Sequence, residues 1–249
     1  MYRIFLVILI DLISIIFLLR KLPCLRKKYR MKNLITQWEN LYGSTLLIIH
    51  DVEQESCYSI ESSRDTSNFV KKVKSIAPDR SIDLILHTKG GSSTNSKIMI
   101  DALLNHTAPF RAYIPIEAYS AGTLIALAAD ELHMDALAHL SKIDTQMIVD
   151  RQLENSVPVG LMRSLKHLNE IHGRVANQFY NDDLQVLKAI FKKGNYDNYQ
   201  QTQIINHLVD GPLSHGYPIS YAEIKEMGLN VDNVIPPLIE KILNFSNQE

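Results

Sequence analysis

Ser120 and the pair Gly90-Gly91 are the residues whose types and settings suit acyl-transfer chemistry. Ser120 lies in Glu117-Ala118-Tyr119-Ser120-Ala121-Gly122-Thr123, after a run with strand alternation (Arg111–Ile116) and before an apolar helical run (Leu124–Ala129). A hydroxyl at such a strand-to-helix turn, among small residues, is approachable. The first N–H groups of a helix lack intrahelical partners and its dipole favours negative charge, so an oxyanion formed beside Ser120 would be stabilised. Serine also caps helices, so the turn admits two roles, nucleophile or cap. Gly90-Gly91 ends LILHTKGG, behind a strand expected over Ser81–His87 with Ile82, Leu84 and Leu86 on one face. Two glycines after a strand let the backbone approach a ligand and present its N–H groups.

These turns need a scaffold, and the alternation supplies one. Strands are expected at Thr45–His50, Ser81–His87, Arg111–Ile116 and Glu131–Met134, with helices at Thr66–Ile76, Ser96–Leu104 and Ser120–Ala129 between them. Strand–helix alternation of this kind predicts an α/β fold whose ligands bind beyond the carboxyl ends of the strands, where both turns fall. Val157–Lys193 is helical in pattern, with Leu161, Leu165, Leu168, Ile171, Val175 and Phe179 three or four apart. Ser220–Met227 reads as a short helix with a Ser220/Glu223 capping box and Gly228 at its end, followed by a terminal helix over Ile235–Leu243.

LILHTKGG, then AYSAGTLIALAADELHMDALAHLSKIDTQ, then SHGYPISYAEIKEMGLNV together resemble the serine dehydrogenase proteinase family. Those proteins are membrane-anchored relatives of the Clp protease proteolytic subunit and of signal peptide peptidase A. The resemblance spans roughly Leu46 to Val234, and its three motifs fall in the family's order. It implies a ClpP/crotonase-like fold of repeated ββα units, with Ser120 matching the nucleophile. Gly90, Gly91 and the N–H of Ala121 match the oxyanion hole.

A serine hydroxyl is a poor nucleophile until a base takes its proton. Clp-type relatives use His and Asp, and signal peptide peptidase A uses Lys. Asp144 falls about where the Clp-type histidine would lie, and matches the Asp of the family's V-D-P-Q pattern; its other reading is a carboxylate capping backbone N–H groups. Lys166, near the start of the long helical stretch, is placed like a dyad lysine, although most helix lysines are solvated. His215 matches the T-H-D-Y-P pattern, but Gly216 stands where the family has Asp, which removes the obvious carboxylate for orienting an imidazole. The expected order is therefore Lys166, then Asp144, then His215. Ser141, Lys142 and Thr145 also depart from the family's G-P and D-P turn. His139 nearby reads as structural.

At 249 residues and 46% hydrophobic content, the chain can bury one good-sized core. A net charge of −1 makes no call for nucleic acid. Cys24 and Cys57 read as reduced thiols, and no His, Cys or acidic spacing implies a metal. No phosphate loop or dinucleotide fingerprint is present, so no cofactor is expected.

The apolar run Ile4–Leu19, interrupted by Asp11 and Ser14, reads as a single-pass membrane anchor. Asp11 would cost about 3 kcal/mol there, tolerable against so many Ile, Leu and Phe. Arg20, Lys21, Arg26, Lys27, Lys28, Arg30 and Lys32 follow the run, which places the remainder in the cytoplasm, against anionic headgroups. The expected organisation is an anchor over 1–22, a basic linker with a short helix over 23–44, and the protease-like domain over 45–249. Three functions compete: a membrane-anchored serine peptidase acting on peptide or protein substrates as a homo-oligomer, a degenerate ClpP-like scaffold, and a crotonase-type acyl-CoA enzyme.

Overall fold

The computed structural model describes residues 28–51, 57–150, 155–164 and 170–246. The apolar run Ile4–Leu19, Cys24 and Lys166 lie outside these residues. Among the described residues, no helix is long and apolar enough to cross a membrane.

Residues 28–42 form helix α1, and the chain then turns at Gly43 into β1 (Thr45–His50). Next come α2 (Ser63–Ser75), β2 (Ile82–His87), α3 (Ser93–Leu104) and β3 (Phe110–Ile114). β4 (Glu117–Ala118), α4 (Ala121–Leu127), β5 (Glu131–Met134) and β6 (His139–Leu140) follow. A hairpin, β7 (Gln146–Asp150) and β8 (Asn155–Pro158), leads to α5 (Val159–Ser164) and α6 (Glu170–Gly194). α7 (Asn198–Ile204) runs into a π-helical turn, Ile205–Val209. β9 (Ile219–Ser220), α8 (Tyr221–Glu226), β10 (Val231–Asp232) and α9 (Pro237–Ser246) complete the chain.

The main sheet has the order β1-β2-β3-β5-β10, with every neighbouring pair parallel. β1 and β2 are buried on both faces, as parallel strands under helices are, which explains why they read as largely apolar runs. One face carries Leu47, Ile49, Leu84, Leu86, Ala112 and Ile114 and packs under α2, α3, α4 and α6. The other carries Leu46, Ile48, Ile85 and Tyr113 beneath Trp38 of α1 and Ile239 and Ile242 of α9. On that second face Asp83, 0% exposed, accepts from Trp38 Nε1 at 2.8 Å, from Ser44 Oγ and from Arg111 Nε at 2.6 Å. The carboxylate fastens α1 and β3 to β2.

A second sheet of three short strands, β4-β6-β9, adjoins the end of β2. The expected strand Arg111–Ile116 ends early, as β3 (Phe110–Ile114), and beyond Pro115-Ile116 the chain forms β4 (Glu117–Ala118) in a different sheet. Proline cannot donate to a ladder, so the chain changes sheets there. The resulting β3–β4–α4 unit is a ββα unit, and the architecture is a mixed α/β, ClpP-like one.

Other boundaries moved by a few residues. The helix expected over Val157–Lys193 is represented by two, α5 and α6, with Asn155–Pro158 paired as a strand instead. α8 has the expected capping box, Ser220 Oγ accepting from Glu223 N and Glu223 Oε2 accepting from Ser220 N. Cys57 is a free, half-buried thiol, pushed up to about 11 by burial.

Candidate active site

The site forms where the two sheets meet. Beyond β2, Thr88 pairs with Ala118 of β4: Thr88 N donates to Glu117 O at 3.1 Å and Tyr119 N to Thr88 O at 2.9 Å. Two residues further along each chain, Gly90 faces Ser120. A Cβ at Gly90 would lie 2.8 Å from Ser120 Cβ and 3.4 Å from Ser120 Oγ, so only glycine fits; its φ of +116° also suits glycine. A Cβ at Gly91 would lie 2.9 Å from Ile60 Cβ.

Ser120 occupies the N-cap position of α4 but makes no capping bond. Its backbone is at φ 52°, ψ −116°, a strained conformation for a residue with a side chain. Of the two roles open to it in the sequence, capping is therefore absent. Strain of this kind characterises a nucleophile elbow, in which a sharp turn between strand and helix lifts a hydroxyl clear of the backbone. The conformation is held by neighbours: Ser120 N donates to Ser141 Oγ at 2.8 Å, and Ser141 N to Thr123 Oγ1 at 3.0 Å. Thr123 Oγ1 in turn donates to Ala118 O at 2.6 Å. Gly90 N is occupied by Thr88 Oγ1 at 3.0 Å. The N–H groups of Gly91 and Ala121 donate to no acceptor among the described residues.

The small sheet then delivers the titratable groups. β4 and β6 are parallel, with Ala118 opposite Leu140, so the residues after each strand, Ser120 and the Ser141–Gln146 turn, emerge at one end. β9 is antiparallel to β6, with Leu140 opposite Ile219, so the loop before β9 approaches that same end. It carries His215, whose Nδ1 lies 2.8 Å from Asp144 Oδ1. Asp144 is 1% exposed, and its Oδ2 accepts from Gln146 Nε2 at 3.2 Å. Gln146 Nε2 also lies 3.2 Å from His215 Nδ1; in the tautomer whose Nδ1–H donates to Asp144, Nε2 is the proton acceptor.

The absence of a carboxylate at Gly216 thus does not leave His215 without one: Asp144 supplies it. Asp144 is engaged by side chains and caps no backbone N–H among the described residues. No hydrogen bond joins Ser120 Oγ to His215, Asp144 or any other described group. Lys142, which the sequence marks only as a departure from the family turn, is 4% exposed and lies 3.6 Å from Asp144 Oδ2. The third departure, Thr145, donates through N and Oγ1 to Asp183 at 3.3 and 2.9 Å. Burial pushes the Asp183 carboxyl up, against the opposing pull of Thr145 and of Lys97 at 3.2 Å.

A family model for ClpP-like SDH-type serine proteinases matches residues 1–249. The chain belongs to this family. As an SDH-type proteinase it is a serine peptidase of the ClpP-like class. Two uncharacterized proteins of Methanocaldococcus jannaschii are similar to this proteinase. One is 28% identical over 227 residues, covering 86% of this chain and 78% of its own. The other is 28% identical over 244 residues, covering 94% and 83%. Among solved structures, a mutant form of the 1510-N membrane-bound stomatin-specific protease superposes with a TM-score of 0.53. That match is 14% identical and covers 81% of this chain and 83% of the other, a likeness of fold.

Proposed function

We propose that this SDH-type proteinase is a membrane-anchored serine peptidase in which Ser120 is the nucleophile, His215 the base and Asp144 the residue that orients it. The observation that carries the reading is the strained, uncapped Ser120 beside Gly90, at the sheet end reached by the His215–Asp144 pair. His215 Nε2 takes the hydroxyl proton as Oγ bonds to the scissile carbonyl carbon. The oxygen becomes an anion facing the N–H groups of Gly91 and Ala121, while Gly90 provides the space for it. The imidazolium then protonates the leaving amine, the C–N bond breaks, and water releases the acyl group from Ser120 by the reverse sequence. The hydrogen bond from Ser120 Oγ to His215 Nε2 forms when substrate is bound, as catalytic hydrogen bonds often do.

Anchoring follows from the apolar Ile4–Leu19 run and the basic residues after it, which would hold the domain on the cytoplasmic side. The same reading includes a homo-oligomer, for which the exposed Leu161 and Phe179 on α5 and α6 are candidate contact residues.

Fluorophosphonate labelling of the full chain tests the assignment. Wild type is expected to label and Ser120→Ala to remain unlabelled. His215→Gln should label slower by about 10²–10⁴, while Lys166→Ala keeps the wild-type rate. Loss in Lys166→Ala with retention in His215→Gln would transfer the base role to Lys166. Absence of labelling in folded wild type would favour the scaffold.

A further inference from the structure

Lys142 is the buried charge that this reading leaves without a task. Its Nζ donates to the carbonyl of Gly211 at 2.7 Å and lies 3.6 Å from Asp144 Oδ2. The other oxygen of Asp144 meets His215 at 2.8 Å, so the carboxylate is held from two sides. Gly211 belongs to the loop that carries His215, and that loop has no regular secondary structure until β9. An amine that donates to a carbonyl and faces a carboxylate works as a cation, not as a proton acceptor. Although the β4–β6 register brings residue 142 abreast of Ser120, its amine is directed to the loop and to Asp144.

The energetics make this contact more than a surface pair. A buried ammonium is costly unless paired, and removing one partner from a buried ion pair costs more than an exposed pair contributes. Here both partners of Lys142 belong to the site. The charge is satisfied only when Asp144 is in place and the Gly211 carbonyl has closed over it. The π-helical turn just before Gly211 is fixed on the same segment, with Ile143 N donating to Leu208 O at 2.9 Å.

We propose that Lys142 is a positioning residue for the Asp144–His215 pair, fixing the carboxylate rotamer and latching the histidine loop through Gly211. The inference rests on the Ser120–His215–Asp144 reading. It has an electrostatic signature that a purely structural lysine would lack. Among the described residues, the charged groups paired at the imidazole are Asp144 and, behind it, Lys142. Asp210 of the same loop is engaged by Tyr180 Oη at 2.9 Å, and Glu223 by Ser220 and Tyr217. A positive charge behind the carboxylate opposes a second one on the imidazole. Removing it favours the imidazolium, and the acid limb of the acylation rate moves upward by about one pH unit.

Acylation rates of the full chain with a fluorophosphonate across pH, for wild type, Lys142→Met, Lys142→Arg and His215→Gln, decide the matter. Lys142→Met is expected to slow acylation by about 10- to 100-fold, the scale of a misplaced catalytic group, and to raise the acid limb. Lys142→Arg keeps a cation and a donor, and should keep the wild-type limb even at a lower rate. A folded Lys142→Met with wild-type rate and limb, beside an inactive His215→Gln, overturns the proposal and leaves the triad standing. Wild-type labelling in His215→Gln overturns the triad itself. Should Lys142→Met fail to fold, Lys142→Arg decides alone, and a displaced acid limb in that variant overturns the role.

Discussion

Asp83 and Asp144 are both buried carboxylates, 0% and 1% exposed, and they mark two regions of different purpose. Asp83 sits near the amino end of β2 and is surrounded by an indole N–H, a serine hydroxyl and the Arg111 guanidinium. None of those donors gives up its proton near neutral pH, so the arrangement has one state. Asp144 sits at the end of the small sheet with an imidazole and an amine for neighbours. Imidazole is the side chain that changes charge near neutrality. A carboxylate among permanent donors fastens elements together; one beside an imidazole can support a change of charge during a reaction.

Exchanging each carboxylate for its amide should separate the two roles. Asp144→Asn is expected to lower the acylation rate by about 10²–10⁴, by leaving His215 Nδ1 without its acceptor and favouring the wrong tautomer. Its stability also falls, because Lys142 loses its buried partner, so the deciding observation is the rate of the folded protein, read by labelling and circular dichroism on one sample. A variant that loses stability and keeps its rate would place Asp144 with Asp83.

Asp83→Asn is the converse. It turns an amide N–H₂ toward three donors and leaves the Arg111 charge without its partner, at a cost of about 3 kcal/mol in folding stability. Denaturant titration measures the loss. Acylation in the absence of denaturant should stay at the wild-type rate, because Ser120 belongs to the other end of the strands.

The smallest expected effect concerns the seam between the sheets, where His87 of β2 faces Glu117 of β4 at 3.9 Å. Burial holds the His87 imidazole below its ordinary value, against the opposing pull of Glu117 and Asp51. The unfolded chain then binds a proton that the folded chain resists. The associated stability is present above about pH 6.5 and is lost as pH falls below it. Melting curves at about pH 7.5 and about pH 5.5 should show a larger drop for wild type than for His87→Asn. Equal drops would remove His87 from the account.

The local features of the site were legible in the sequence, and the distant ones were not. Ser120, Gly90 and Gly91 lie in turns bounded by strands and helices whose periodicities are clear. The meeting of Asp144 and His215, far apart in the chain, depends on β6 and β9, two residues each, too short to show alternation. For the same reason Gly216 looked like the loss of the orienting carboxylate, when the pairing runs to Asp144. Lys142 was visible as an oddity of the turn; what it touches is set by the fold of the Gly211 loop. The end of β3 at Ile114 had a signal in Pro115, which the apolar alternation around it obscured, and β4, two residues long, is too short to show alternation.

Trp38, the single tryptophan of the chain, is fully buried on the sheet face opposite α2 and α3, with its indole N–H on Asp83. Asp83 lies near the start of β2 and Ser120 beyond its end, which at the rise of a strand is about 13 Å from Asp83 already at His87. Intrinsic fluorescence excited in the indole band therefore comes from one chromophore in one environment. Its emission should shift to longer wavelength when the main sheet opens and stay unchanged when Ser120 is acylated. A single cuvette holding protein and a visible-wavelength fluorophosphonate would then give two independent optical channels, one for the integrity of the sheet and one for the chemistry of the serine.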